Sequence, residues 1–103
     1  FDKSFNKLKY LNMPRFIIER EVPGAHQLTA EQLKALAQKS RDVICKIGTD
    51  IQWVQSYVAG DKLYCVYIAP NEDLIRIHAE MGGFPANLIC KISSVIDPMT
   101  ADN

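Results

Sequence analysis

The stretch from Asp50 to Pro70, DIQWVQSYVAGDKLYCVYIAP, constrains this chain more than any other. Two runs rich in β-branched and aromatic residues flank a tight-turn signal at Ala59-Gly60-Asp61-Lys62, which specifies a β-hairpin. An isolated hairpin is at best marginally stable in water, so the flanking segments must supply more strands or a packed helix. The hairpin also gathers the rings: Trp53, Tyr57, Tyr64 and Tyr67 lie in it beside Cys65, in a chain with one Trp and four Tyr.

The flanks supply what the hairpin lacks. Arg15 to Val22, RFIIEREV, is predicted as a strand that Pro23-Gly24 ends. Thr29-Ala30-Glu31-Gln32 reads as a capping box. The helix behind it extends to about Lys46, with Leu33, Leu36, Ala37, Ser40, Ile44 and Ile47 at helical spacing and Gly48 as its stop. The hairpin strands are predicted from about Ile51 to Val58 and from about Lys62 to Ala69.

Asn71 then caps a second helix whose first turn carries Glu72 and Asp73. Leu74, Ile77, His78 and Met81 form its expected inward stripe, and Gly82-Gly83 ends it. A last strand is expected from about Leu88 to Ile96, with Met99 to Asn103 as a frayed tail. The order β-α-β-β-α-β predicts a ferredoxin-like α+β sandwich: a four-stranded antiparallel sheet with both helices on one face. Residues 13–103 form this single domain, and residues 1–12 an N-terminal extension, either flexible or a helical arm for a partner subunit.

Charge and cysteine usage narrow the function. Lys+Arg and Asp+Glu number 12 each, so the chain lacks the basic excess of a nucleic-acid binder. No apolar run approaches the ~20 residues of a membrane-spanning helix. Cys45, Cys65 and Cys90 show no CxxC spacing, which reads as buried thiols in a reducing compartment. With no signal peptide visible, the expected location is cytoplasmic. Phosphate-binding loops, hydrolase elbows and zincin motifs are absent from the sequence.

Helices on one side leave the other face of the sheet open. Phe16, Ile18, Val54, Val58, Val66 and Ile68 make a helix-facing set. Ile17, Glu19, Trp53, Gln55, Tyr57, Cys65, Tyr67, Lys91 and Ser93 fall on the opposite side. So apolar a face marks an interface or a ligand site. A second copy packed sheet to sheet would cover it, as a dimeric α/β-barrel type assembly with a ring-lined pocket between the sheets.

Each candidate on that face has a plain alternative. Glu19 is a general base or metal ligand, or the partner of a surface cation such as Lys91. Trp53, Tyr57 and Tyr67 stack on a flat ligand or fill the dimer interface. Cys65 is a soft ligand or a small buried hydrophobe. His78 is an acid-base group or metal ligand, or a helix-edge residue with one satisfied nitrogen. His26, in a loop with no partner nearby in sequence, reads as unremarkable.

The segments PRFIIEREVPGA, LTAEQLKALAQKS, IQWVQSYVAGDKLYCVYIAP, IRIHAEMGGFPAN and VIDPMTA carry a resemblance that runs from about Met13 to Ala101. The chain resembles a family of small bacterial ferredoxin-like proteins, a domain of unknown function that includes a nickel-binding protein. Relatives often resemble WVHSYV where this chain has Trp53-Val54-Gln55-Ser56-Tyr57-Val58. An imidazole suits nickel and the amide of Gln55 does not. His78, in IRIHA, matches the family pattern.

The resulting expectation is a homodimeric binding protein for a small ligand or a divalent metal, with Ni2+ as the candidate ion. Glu19, Trp53, Gln55, Tyr57, Cys65 and Tyr67 would line the site, and His78 and Glu19 would hold the metal. The rival expectation is a small cofactor-independent monooxygenase or isomerase using the same cavity, with Glu19 or His78 moving the proton.

Overall fold

A computed structural model describes residues 12–48 and 50–102. The arm expected over residues 1–12 lies outside them, Asn12 excepted. The elements follow as β1 (Arg15–Glu21), α1 (Ala30–Ile47), β2 (Gln52–Ala59), β3 (Lys62–Ile68), α2 (Glu72–Gly82) and β4 (Leu88–Lys91). The sheet order is β2-β3-β1-β4, and each neighbouring pair is antiparallel. Each helical crossover therefore joins two strands with a third between them: α1 carries the chain past β3, and α2 past β1. Among the described residues the result is an α+β fold of four strands and two α-helices.

Local chemistry sets the helix ends as the sequence requires. The Gln32 amide donates to Thr29 Oγ1 at 3.2 Å while the Thr29 amide donates to Gln32 Oε1 at 2.9 Å, a complete capping box. The Leu74 amide donates to Asn71 Oδ1 at 3.0 Å and starts α2. The hairpin turn is tied to the loop after β1. The Val22 amide donates to the Asp61 carbonyl at 2.8 Å, the His26 amide to the Gly60 carbonyl at 2.9 Å, and the Gly24 amide to Asp61 Oδ1 at 2.9 Å. His26 Nδ1 also lies 3.1 Å from the Gly60 carbonyl and 3.6 Å from Asp61, so this loop histidine helps hold the hairpin.

Register decides which side chains the helices cover. Ile18 pairs with Cys65 and Phe16 with Tyr67, so Phe16, Ile18, Arg20, Cys65 and Tyr67 share the helix side. The sequence expectation put Val66 and Ile68 there and Cys65 and Tyr67 on the open side; the register reverses it. On β2 the pairing jumps from Trp53–Tyr67 to Gln55–Val66, which leaves Val54 as a bulge. Trp53 therefore points to the helix side, whereas Gln55 and Tyr57 point away from it. Alternation alone placed all three together, and one inserted residue separates them. Val54, expected beneath the helices, is 40% exposed at the bulge, whereas Val58 lies on the helix side as expected, at a rim that leaves it 41% exposed.

The core lies between sheet and helices around Phe16, Ile18, Ile51, Cys65, Tyr67, Ala69 and Ile75. Ile18 and Ile75 are wholly buried, each contributing about 1.5–3 kcal/mol relative to an exposed side chain. Helix α2 is turned from its expected stripe: Ile75, His78, Ala79 and Gly82 face inward, while Ile77 and Met81 are exposed. The small Ala79 and Gly82 admit close neighbours, and His78 finds a hydrogen bond inside.

Three further expectations change. Strand β4 ends at Lys91 rather than Ile96. The Ile92 amide donates to the Arg15 carbonyl at 2.8 Å, and β1 begins there, so the residues beyond have no strand to pair with. Ser93 accordingly lies outside the sheet, and Lys91 pairs with Phe16 on the side opposite to that expected. Cys45 and Cys90 are exposed rather than buried; Cys65 is buried, and all three thiols are free. Residues Pro98–Asp102 form a 3-10 turn instead of a frayed tail, closed by the Thr100 amide donating to Asp97 Oδ1 at 3.1 Å.

Candidate functional site

A cavity of about 270 Å³ lies between α1 and the sheet. Helix α1 contributes Leu33, Leu36, Ala37 and Ser40 because its apolar face recurs at helical spacing. The sheet contributes Arg20, Leu63, Cys65 and Tyr67 from its two central strands, and Trp53, Ser56 and Val58 from β2. Phe84, just after α2, completes the lining. The exposed Leu33 and Val58 mark its outer end.

A string of polar side chains runs along the inner wall. Ser40 Oγ lies 3.2 Å from the Tyr67 hydroxyl and 3.2 Å from His78 Nε2, so one serine joins the sheet to both helices. The Tyr67 and His78 rings meet with centroids 5.0 Å apart, and His78 stacks on Phe84 at 5.5 Å. Burial pushes the Tyr67 phenol above its usual range, an effect that the Ser40 hydrogen bond and the Arg20 cation oppose. Burial, and secondly the Arg20 cation, hold His78 down to about 4, so its imidazole is neutral at pH 7. His78 Nδ1 has no hydrogen-bond partner among the described residues.

Arg20 stands at the other end of this wall. It is 3% exposed, donates from Nη1 to the Pro85 carbonyl at 2.5 Å, and lies 5.4 Å from the Phe84 ring centroid. Its Nη2 is buried with no hydrogen-bond partner among the described residues. Trp53 Nε1 donates to Ser56 Oγ at 3.0 Å, which fixes the indole at the cavity's β2 side.

Of the residues singled out in the sequence, the cavity brings together Trp53, Cys65 and Tyr67, with His78 behind them. It does not include Glu19, Gln55 or Tyr57. Glu19 sits on the open face in an ion pair with Lys62 at 3.3 Å, the hydrogen bond that chiefly raises the lysine's pKa. Gln55 Nε2 donates to the Tyr57 hydroxyl on that same face. Arg20 and Ser40 carry weight that sequence reasoning missed. Their signals were present: Arg20 continues the alternation of Phe16 and Ile18, and Ser40 lies on the apolar stripe of α1.

The ion anticipated from the family resemblance does not fit these residues. Glu19 and His78 lie on opposite sides of the sheet and cannot share a metal. Among the described residues no three His, Cys, Asp or Glu side chains converge. No helix among them is long and apolar enough to cross a membrane.

Comparison with known proteins sets the site in a family. No curated protein matches the chain. A crystal structure of SCO4226 from Streptomyces coelicolor A3(2) shares its fold, with a TM-score of 0.63 at 22% identity, covering 80% of this chain and 99% of that one. The family described as nickel responsive protein SCO4226-like matches residues 16–92. The chain belongs to the SCO4226-like family of nickel responsive proteins.

Proposed function

We propose that this chain is a small-ligand binding module on a ferredoxin-like sandwich, holding its ligand in the cavity between α1 and the sheet. One observation carries the reading: an apolar cavity of about 270 Å³ whose inner wall is a run of buried polar groups, Arg20, Tyr67 and Ser40. Apolar walls with a few fixed polar anchors are the usual make-up of a small-molecule site. The position of Glu19 supports binding over catalysis, since the carboxylate put forward for proton transfer is outside the cavity and paired with Lys62.

Trp53, the only tryptophan, lines the cavity and reports on its contents. Titration with neutral aromatics such as phenol and benzyl alcohol is expected to change its fluorescence saturably. Ala37→Leu, which fills the space, removes that response while the protein stays folded. A flat titration with every probe would sink the reading.

The family's description supports a nickel response, yet the described residues of one protomer bring no three ligating side chains together for a nickel ion. Calorimetric titration of tag-free protein with Ni2+ is expected to show no heat that depends on His78 or Glu19.

A homodimer is the second part of the proposal. The open face carries Ile17, Tyr64 and Val66 with Tyr57 and Leu88, the last two each 53% exposed. A second copy is the simplest cover for such a face. Sedimentation velocity is expected to give a dimer that Val66→Glu dissociates; a monomer at high concentration would rule this part out.

A further inference from the structure

We infer that the cavity selects a small carboxylate with a ring-sized apolar body, its charged end held by Arg20 and Tyr67. This rests on the binding reading above and adds the chemical class of the ligand.

The guanidinium of Arg20 stays protonated in a protein and offers only donors. It is 3% exposed, and among the described residues no carboxylate pairs with it. One donor group, Nη1, is used on the Pro85 carbonyl, which holds the side chain in place; among the described residues Nη2 has no partner. Among the described residues no Asp or Glu lines the cavity, and Arg20 is the one ionised side chain that does. A buried, fixed and unpaired cation at the wall of a cavity is a site for an anion.

The polar string supplies a second donor. His78 is neutral at pH 7, so only one of its ring nitrogens carries hydrogen. Nε2 has a partner in Ser40 while Nδ1 has none. An orphaned acceptor is easier to tolerate than an orphaned N–H, so the hydrogen belongs on Nε2, donating to Ser40 Oγ. Ser40 then donates its own hydrogen to the Tyr67 oxygen at 3.2 Å, which leaves the Tyr67 O–H free to turn elsewhere. Arg20 also donates to the Tyr67 oxygen and its cation repels that hydrogen, which turns toward the cavity that Tyr67 lines. Arg20 and Tyr67 line the same cavity, where they supply two donors and, among the described residues, meet no charged acceptor; the two oxygens of a carboxylate answer both. Leu36, Ala37, Leu63 and Trp53 enclose the apolar body.

The test is a matched pair on the full chain: phenylacetate against phenylacetamide, which has nearly the same shape without the charge, followed by Trp53 fluorescence at pH 7. Phenylacetate is expected to bind roughly ten- to a hundredfold more tightly, the range of a charged hydrogen bond. Arg20→Met and Tyr67→Phe are each expected to shrink the ratio, with amide binding retained. Equal affinity for the pair in the unaltered protein would overturn the inference and leave the binding reading standing. So would neutral probes that bind while phenylacetate does not. If no probe of either kind binds, the binding reading falls as well. The wild-type ratio decides the matter even if Arg20→Met fails to fold.

Discussion

Gly82 and Phe84 are packed so closely that a Cβ on the glycine would stand 2.2 Å from the phenylalanine ring. The contact puts that ring against His78 on one side and Arg20 on another, so the end of α2 shapes the wall of the cavity. Lys39 Nζ approaches the same ring at 5.5 Å.

Gly82→Ala is therefore expected to move Phe84 rather than be absorbed. Overpacking of this kind costs about 1–3 kcal/mol. Urea unfolding should show the loss, and Trp53 fluorescence should show an altered ligand response in the folded protein. Stability and binding both unchanged would mean that Phe84 has room to retreat.

His78 makes stability depend on pH. Its folded-state pKa is about 4 against an ordinary value of 6.5. Between those values the unfolded chain binds a proton that the folded chain refuses, so stability falls as pH drops through 6.5 and goes on falling to about 4. The full effect is about 3 kcal/mol. Urea midpoints measured from pH 7.5 to 4 should decline, and His78→Gln should remove most of the decline between pH 6.5 and 5. An identical pH profile in the two proteins would refute the assignment.

Thr29 tests the helix that roofs the cavity. Its hydroxyl accepts the Gln32 amide, and Thr29→Ala leaves that donor without its cap. The expected loss is about 1 kcal/mol, read as a lower melting temperature. Restoration by Thr29→Ser would tie it to the hydroxyl, while failure of serine to restore it would place the effect elsewhere.

Glu19→Gln separates the two faces of the sheet. The carboxylate pairs with an exposed lysine on the open side, and pairs of that kind contribute little. Melting temperature and Trp53 ligand response are both expected to be unchanged. A loss of ligand binding would mean that the open face takes part in the site after all.

The six elements were legible in the amino-acid sequence because their signals are local: a capping box at Thr29, an N-cap at Asn71, a turn at Gly60-Asp61 and runs of β-branched residues. The alternation through Phe16 and Ile18 also marked the buried side of β1 correctly. The side of β3 was not legible, since both alternate sets of KLYCVYI are apolar enough to be buried. Nor was the bulge at Val54, which sends Trp53 and Gln55 to opposite faces.

The sequence by itself thus determined which strands and helices form and in what order, though not where β4 stops, because that end depends on where its partner β1 begins. Tertiary structure alone decided that Arg20, Ser40, Tyr67 and His78 meet, because cross-strand register and helix rotation are set by packing between segments distant along the chain. Local propensity acts over a turn or a few residues. A site assembled from four separate elements depends on how those elements fit together.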